Sequence, residues 1–265
     1  MTTLQERIDA ANAYEQVFVP ALLGEFAPRM VAEARIQRGQ RVLDVACGTG
    51  VLAREAAKRV GPTGSVVGLD LDPGMLAVAA RLASGIEWRQ GGAESLPFEE
   101  RSFDAVVSQF GLMFFTDRNR ALREMLRVLA PGGRMAVAVW GGLDTMPAFA
   151  AEVDLFERVA GAKAADALRA PFVLGDCEEL AALFADSGLD SARITTHAGR
   201  ARFASIRTLV EADLRGWLPV MGVVLAEEQI QRTLAEAERV LHAWSTPDGA
   251  VELDTCAHIV SAVPA

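Results

Sequence analysis

VLDVACGTG, residues 42–50, runs from apolar and β-branched residues into two glycines, and the helix-forming VLAREAAKRV follows directly, up to Gly61-Pro62. A strand, a tight glycine turn and a helix in that order make the first half of a βαβ unit. Working outward, the alternation recurs: GSVVGLDL as strand, PGMLAVAARLAS as helix, IEWRQG and FDAVVSQF as strands, RNRALREMLRVL as helix and RMAVAVW as strand. This pattern predicts an α/β fold, a parallel sheet with helices on both faces. Right-handed crossovers then bring the carboxyl ends of all the strands to one edge, where ligands bind near the place at which strand order reverses.

Upstream, residues 4–36 are helix-forming but interrupted at Pro20 and Pro28, which predicts two or three short helices. Beyond Trp140, helices are predicted over 147–170 and 176–187, a strand over RITTHAGRARF, a helical stretch over 205–243 broken around Pro219, and a closing strand in AVELDTCAHIVSAV. The organisation expected is one domain over 1–265. It comprises an N-terminal helical lid (1–38), a cofactor-binding core (39–141) and a C-terminal half (142–265) with a helical insertion at about 205–245.

Half of the 265 residues are hydrophobic, enough to bury a full core. The net charge of −9 and pI near 5.0 oppose the counterion release that drives nucleic-acid binding, so no nucleic-acid partner is expected. Residues 142–245 hold 10 Arg and Lys against 16 Asp and Glu, leaving no basic stripe for a phosphate backbone. Cys47, Cys177 and Cys256 are too far apart for a disulfide framework or a CxxC metal site, which suits reduced, cytoplasmic thiols. The N-terminal MTTLQERIDAANAYEQ is polar where a signal peptide is apolar, and no run approaches the roughly 20 apolar residues of a membrane span. A soluble, cytoplasmic protein without a membrane partner is the expectation.

Gly48, Gly50 and Ala53 satisfy G-x-G-x-x-G/A, a turn shared by many dinucleotide-binding proteins. Asp44, four residues before the first glycine, narrows the choice. A carboxylate there is costly inside a parallel sheet and would repel a pyrophosphate. It is accounted for by a ligand that is positive nearby, as S-adenosyl-L-methionine is at its ammonium and sulfonium. Asp70, ending the second strand in GLDLD, can accept two hydrogen bonds from ribose hydroxyls. Asp72-Pro73 supplies the cap of the next helix and leaves Asp70 free, while Leu71 is placed to cover one face of an adenine.

VLDVACGTG, GLDLDPGML, GGAESLPF, FDAVVSQFGLMFFTD and EMLRVLAPGGRMAVAVW, in this order over about residues 40–140, resemble the successive motifs of class I S-adenosylmethionine-dependent methyltransferases, type 11, ubiquinone/menaquinone-biosynthesis-like. The resemblance implies a Rossmann-like, seven-stranded, mostly parallel sheet and methyl transfer to a small-molecule acceptor. It implies that Ala46 and Gly48 line the methionine moiety with Asp44 near its ammonium, that Asp70 holds the ribose, and that Ser108 and Gln109 lie by the reactive methyl. Where the family commonly has an acidic residue for the adenine amino group this chain has Gly92, so Glu94 or the backbone at Ala93 must substitute. Pro131-Gly132-Gly133 looks like the turn into the fifth strand.

Methyl transfer needs alignment and exclusion of water more than a base, which predicts a lid. Tyr14, the only tyrosine, with Phe18 one turn later, is one lid candidate. The insertion with Trp217, Met221 and Trp244 is a second candidate for the acceptor pocket, against a plain packing role. The catalytic residues stay unassigned, with His197, Tyr14 and Gln109 as candidates. His197, His242 and His258 have no second ligand at metal spacing, so no metal is expected. A nicotinamide-dependent oxidoreductase and a non-catalytic S-adenosylmethionine-binding module remain the alternatives. The acceptor atom is not readable, nor is the oligomeric state, for which a homodimer stays open.

Overall fold

The computed structural model describes residues 3–263; Met1, Thr2, Pro264 and Ala265, the ends of the lid and of the C-terminal half as expected above, lie outside them. The N-terminal segment forms α1 (Leu4–Phe18), a π-helical turn (Val19–Leu23) and α2 (Ala27–Glu33), broken near the two prolines. Thr3 and Glu6 form a capping box that starts α1. The core follows as β1 (Arg41–Val45), α3 (Val51–Val60), β2 (Ser65–Asp70), α4 (Pro73–Leu82), β3 (Glu87–Gln90), β4 (Phe103–Gln109), α5 (Arg118–Val128) and β5 (Leu129–Trp140).

Then come α6 (Pro147–Val159), α7 (Ala162–Arg169), α8 (Cys177–Ala185), β6 (Arg193–Phe203), α9 (Ile206–Ala212), a π-helical turn (Asp213–Trp217), α10 (Leu218–Val220), α11 (Glu227–Val240) and β7 (Val251–Ala262). The helix expected over 147–170 is divided at Gly161, whose φ of +98° is open to glycine and strained for other residues.

The seven strands form one sheet in the order β3-β2-β1-β4-β5-β7-β6. Strands β1 to β5 are mutually parallel, and β7 is antiparallel to both β5 and β6. The expectation that all carboxyl ends share one edge therefore fails at β7, which returns from the insertion in the opposite sense. Pro131-Gly132-Gly133 is likewise not a turn ahead of the fifth strand. It lies inside β5, where the pairing slips between Phe103 and Ala105 and Gly132 takes φ +75°, a bulge.

Two apolar cores are built. One fills both faces of the sheet, from Phe26 and Met30 of the N-terminal segment through Leu43, Val106 and Val137 to Phe184. The other joins α6, α7, α9 and α11 to the ends of β6 and β7 through Phe156, Leu168, Phe203 and Leu234. Phe18, Leu22 and Phe149 pack against both. No helix among the described residues is long and apolar enough to cross a membrane.

Candidate functional site

Chain order reverses between β1 and β4, and the loops that leave their carboxyl ends open a cavity of about 1040 Å³. That is at the top of the roughly 300–1,000 Å³ range usual for small-molecule sites. The floor is a strained piece of backbone. Ala46 and Phe110, the residues just beyond β1 and β4, both take left-handed φ (56° and 58°), as do Gly48 (55°) and Gly50 (87°). A non-glycine residue held there costs on the order of 1–3 kcal/mol, and such residues cluster at ligand clamps. Gly50 has a packing reason of its own: a Cβ there would meet the Trp88 ring at 2.3 Å.

Asp70 stands at the rim, and it is less free than its sequence suggested. Its Oδ2 accepts from the Gly48 amide at 2.8 Å and its Oδ1 from the Asp72 amide at 2.9 Å. Asp72 caps α4 as expected, accepting from the Gly74 amide at 2.7 Å. Each Asp70 oxygen keeps a further lone pair, and burial, only partly offset by these amides, raises its pKa. Leu71 beside it is 67% exposed and lines the cavity mouth.

Asp44 and Ser108 back the floor rather than line it. Both are buried, and among the described residues neither carboxyl oxygen of Asp44 nor the hydroxyl of Ser108 has a hydrogen-bond partner. Burial holds the Asp44 carboxyl well above the usual carboxylate range and the nearby Asp70 charge adds to it, while the Ala53 amide, outside hydrogen-bond geometry, offsets this only in part. An unpartnered buried carboxyl beside a glycine bend is an arrangement that a cation would relieve. Ala46, Gly48, Ala93 and Gln109 do line the cavity. Gln109 donates from Nε2 to the Leu23 carbonyl at 3.1 Å, which fixes it to the N-terminal segment, while its Oε1 is buried without a partner.

Beyond β3, Glu94 Oε1 accepts from the Thr116 amide at 3.0 Å, and its Oε2 lies 3.4 Å from where a Gly92 Cβ would stand. The carboxylate thus fills the place left by the glycine.

Helix α1 lies over this floor. Tyr14 lines the cavity, with its hydroxyl 3.7 Å from the point a Gly48 Cβ would occupy. Burial, then the charges of Asp70, Glu15 and Asp44 and the Cys47 thiol, raise its pKa, so the hydroxyl stays protonated. Only Ala11 of α1 is fully buried, and polar pairs tie the helix down: Arg7 with Asp72 at 3.1 Å, Glu15 with Arg54 at 2.7 Å, and Asn12 with Arg81.

Tyr14, Phe18, Phe110, Phe114 and Trp217 form a wall shared with a second, apolar pocket of about 150 Å³. Phe114 from the β4 loop meets Trp217 of the insertion with ring centroids 5.3 Å apart, and Trp217 is anchored by donating to the Ala167 carbonyl at 2.8 Å. Met221 lines the larger cavity, whereas Trp244 packs into the second apolar core and lines neither.

The histidines are elsewhere. His197, on β6, lies 3.3 Å from Glu33 of α2 and outside both cavities, which removes the geometric basis for its catalytic candidacy. His258 is held among Thr196 Oγ1 (2.9 Å), the Gly175 carbonyl (3.0 Å) and Cys177, and His242 is exposed. No group of three or more His, Cys, Asp or Glu suited to a metal exists among the described residues.

Sequence reasoning missed Glu152 and Asp213, both in the smaller pocket. Their signal was present. Glu152 falls between Phe149, Val153 and Phe156, and Asp213 between Leu209, Val210 and Leu214, each an acid on an apolar helical face.

A seven-stranded sheet with one reversed strand, its cavity at the reversal point and an acid at the ends of β1 and β2 define the Rossmann-like fold of class I methyltransferases. Residues 42–133 match the family model described as "Methyltransferase domain". Over this part the chain resembles class I S-adenosylmethionine-dependent methyltransferases of the ubiquinone/menaquinone-biosynthesis-like group. It is 46% identical over 108 residues to the ubiquinone/menaquinone biosynthesis C-methyltransferase UbiE of Pseudomonas entomophila (38% of this chain, 42% of that one). It is 43% identical over 113 residues to that of Hahella chejuensis (40% and 45%). The match thus spans less than half the length of these curated relatives.

Among solved structures, the Bacillus subtilis YcgJ protein shares the fold at a TM-score of 0.59, with 19% identity over 91% of this chain and 98% of that one. The Haemonchus contortus phosphoethanolamine N-methyltransferase 2, in complex with phosphomonomethylethanolamine and S-adenosylhomocysteine, does so at 0.61, with 17% identity over 100% of this chain and 61% of that one.

Proposed function

We propose that this protein transfers a methyl group from S-adenosyl-L-methionine to a small-molecule acceptor. The observation that carries the reading is Asp44, a buried carboxyl without a partner directly behind the Ala46–Gly48 bend. When bound, the cofactor supplies a methyl group already activated by its sulfonium. In this reading Asp44 faces the ammonium, Asp70 accepts from the ribose hydroxyls with its remaining lone pairs, and Leu71 covers the adenine. Glu94 takes the part of the acidic residue that Gly92 replaces. Ser108 and Gln109 border the methionine end.

The chain's own task is to align the acceptor and to keep water out, and the aromatic wall between the two cavities is suited to both. Tyr14 is at that wall with a protonated hydroxyl, a hydrogen-bond donor and not a base. Helix α1 serves as the lid: it covers the cavity with Tyr14 and Phe18, and the exposed Arg7–Asp72 pair holds its N-terminal half only weakly.

The test is incubation with methyl-labelled cofactor and a metabolite extract, followed by mass spectrometry. A product heavier by one labelled methyl, reduced in Asp44→Asn at sub-saturating cofactor, is expected. Tight S-adenosylhomocysteine binding with no methylated product would leave a binding module instead, and labelled NAD binding without affinity for S-adenosylhomocysteine would mean a nicotinamide enzyme.

A further inference from the structure

We infer that the smaller pocket is built for an organic cation, a ring-sized apolar group bearing an ammonium that is held by Glu152 and Asp213. The inference rests on the methyltransferase reading only in making this pocket the acceptor's. The size follows from the cavity, about 150 Å³, the volume of cavity that admits a single benzene ring. Its walls are aromatic and aliphatic, among them Phe18, Trp140, Phe149, Phe203 and Trp217. Two polar side chains interrupt them besides the Tyr14 hydroxyl, and both are acids.

Glu152 comes from α6 and Asp213 from the π-helical turn after α9, and both carboxyls line the pocket close enough to act on each other's titration. Glu152 is 1% exposed, and its Oε1 receives no hydrogen bond from any amide, hydroxyl, ammonium or guanidinium of the described residues. The nearest arginine in sequence, Arg215, is committed to Glu211 and Glu227 on the surface.

An acid pair of a buried Glu152 and a half-buried Asp213 with no basic partner is costly when ionised, and besides a proton the groups that offset it are a metal or an organic cation. A metal is disfavoured, because two carboxyls with no third His, Cys, Asp or Glu ligand among the described residues are too few for a protein-built site. An ammonium is favoured twice over. It supplies donors to the orphaned oxygen and charge to the pair, and the surrounding rings present negative faces to it. An alcohol would supply a donor and no charge.

The pair lines the smaller pocket and not the cofactor cavity, whereas Tyr14, Phe110 and Phe114 line both. Glu152 and Asp213 are therefore positioning residues. They hold the acceptor by a cationic group away from the cofactor, while its nucleophilic atom reaches past Tyr14, Phe110 and Phe114 into the larger cavity, takes the methyl there and releases S-adenosylhomocysteine.

Calorimetry on the full chain, with and without saturating S-adenosylhomocysteine, tests this with benzylamine, a cation at pH 8, against benzyl alcohol and toluene. Benzylamine is expected to bind at least tenfold more tightly than either neutral probe. Glu152→Gln and Asp213→Asn should each weaken benzylamine at least tenfold, leaving benzyl alcohol and S-adenosylhomocysteine binding unchanged. Equal binding of amine and alcohol by the unaltered protein, no benzylamine binding, or undiminished amine binding in both variants would overturn the inference. Loss of S-adenosylhomocysteine binding alone would count against the methyltransferase reading and not against the cation pocket.

Discussion

Gly111 and Ala46 face each other across the β1–β4 crevice so closely that a Cβ on Gly111 would lie 2.7 Å from that of Ala46 and 3.1 Å from Ser108 Oγ. Both are attached to backbone held at the end of a strand, so neither can swing aside. Gly111→Ala is expected to push the β4 loop away from the floor and weaken S-adenosylhomocysteine binding by tenfold or more. Calorimetry measures the affinity, and an unchanged circular dichroism spectrum shows that the sheet remains.

Asp44→Asn separates stability from binding. The substitution removes a buried carboxyl whose ionisation burial opposes, so the ligand-free protein should melt at an equal or higher temperature. On the proposed reading it also removes the charge behind the floor that attracts the cofactor's ammonium, and cofactor affinity should fall by about 1–3 kcal/mol. Thermal melts with and without S-adenosylhomocysteine report both effects. A lower melting temperature with undiminished affinity would mean that Asp44 is a packing residue.

Glu94→Ala tests the adenine side. The carboxylate holds the Thr116 amide and fills the space beside Gly92, so its loss should weaken adenosine-containing ligands by about 1–2 kcal/mol. Gly92→Asp in the Glu94→Ala background should restore part of the loss. Isothermal titration with S-adenosylhomocysteine and with adenosine shows whether the deficit lies in the nucleoside half.

The acid pair makes stability depend on pH in a defined direction. Burial pushes Asp213 up to about 7 and raises Glu152 well above its ordinary value, and the neighbouring Asp213 charge adds to the rise at Glu152. Their folded pKa values exceed the unfolded ones of about 4, so the folded state binds more protons between those values. The pair's contribution is therefore present at low pH and is lost as pH rises from about 4 towards and through 7. Asp213→Asn should consequently raise the melting temperature at pH 8 more than at pH 5. A shift that is equal at the two pH values would show that the pair is not protonated in the folded protein.

Much of the strand-and-helix sequence was legible because hydrophobic periodicity and glycine punctuation are local signals. The run 51–60 forms the predicted helix residue for residue, as does the strand 193–203. Gly48 and Asp70 were singled out by the glycine turn and the strand end, and Ala46 by the family resemblance; all three line the cavity. What was not legible depends on contacts distant in sequence. The amide bonds that occupy Asp70, the reversed direction of β7, and the meeting of Glu152 with Asp213 are set by how the chain returns on itself. His197 misled because a polar residue in an alternating strand reads alike whether it faces a site or, as here, Glu33 of a neighbouring helix.

Strands β6 and β7 are paired in unbroken register from Arg193↔Ser261 to Phe203↔Val251, and residues 204–250 hang from that single end as one excursion. Such a segment is a cassette: it enters and leaves through neighbouring strand ends and shares its apolar core with α6 and α7. Mutational drift in this excursion can remodel what the protein accepts while the cofactor's cradle, laid down by a different stretch of chain, keeps its shape.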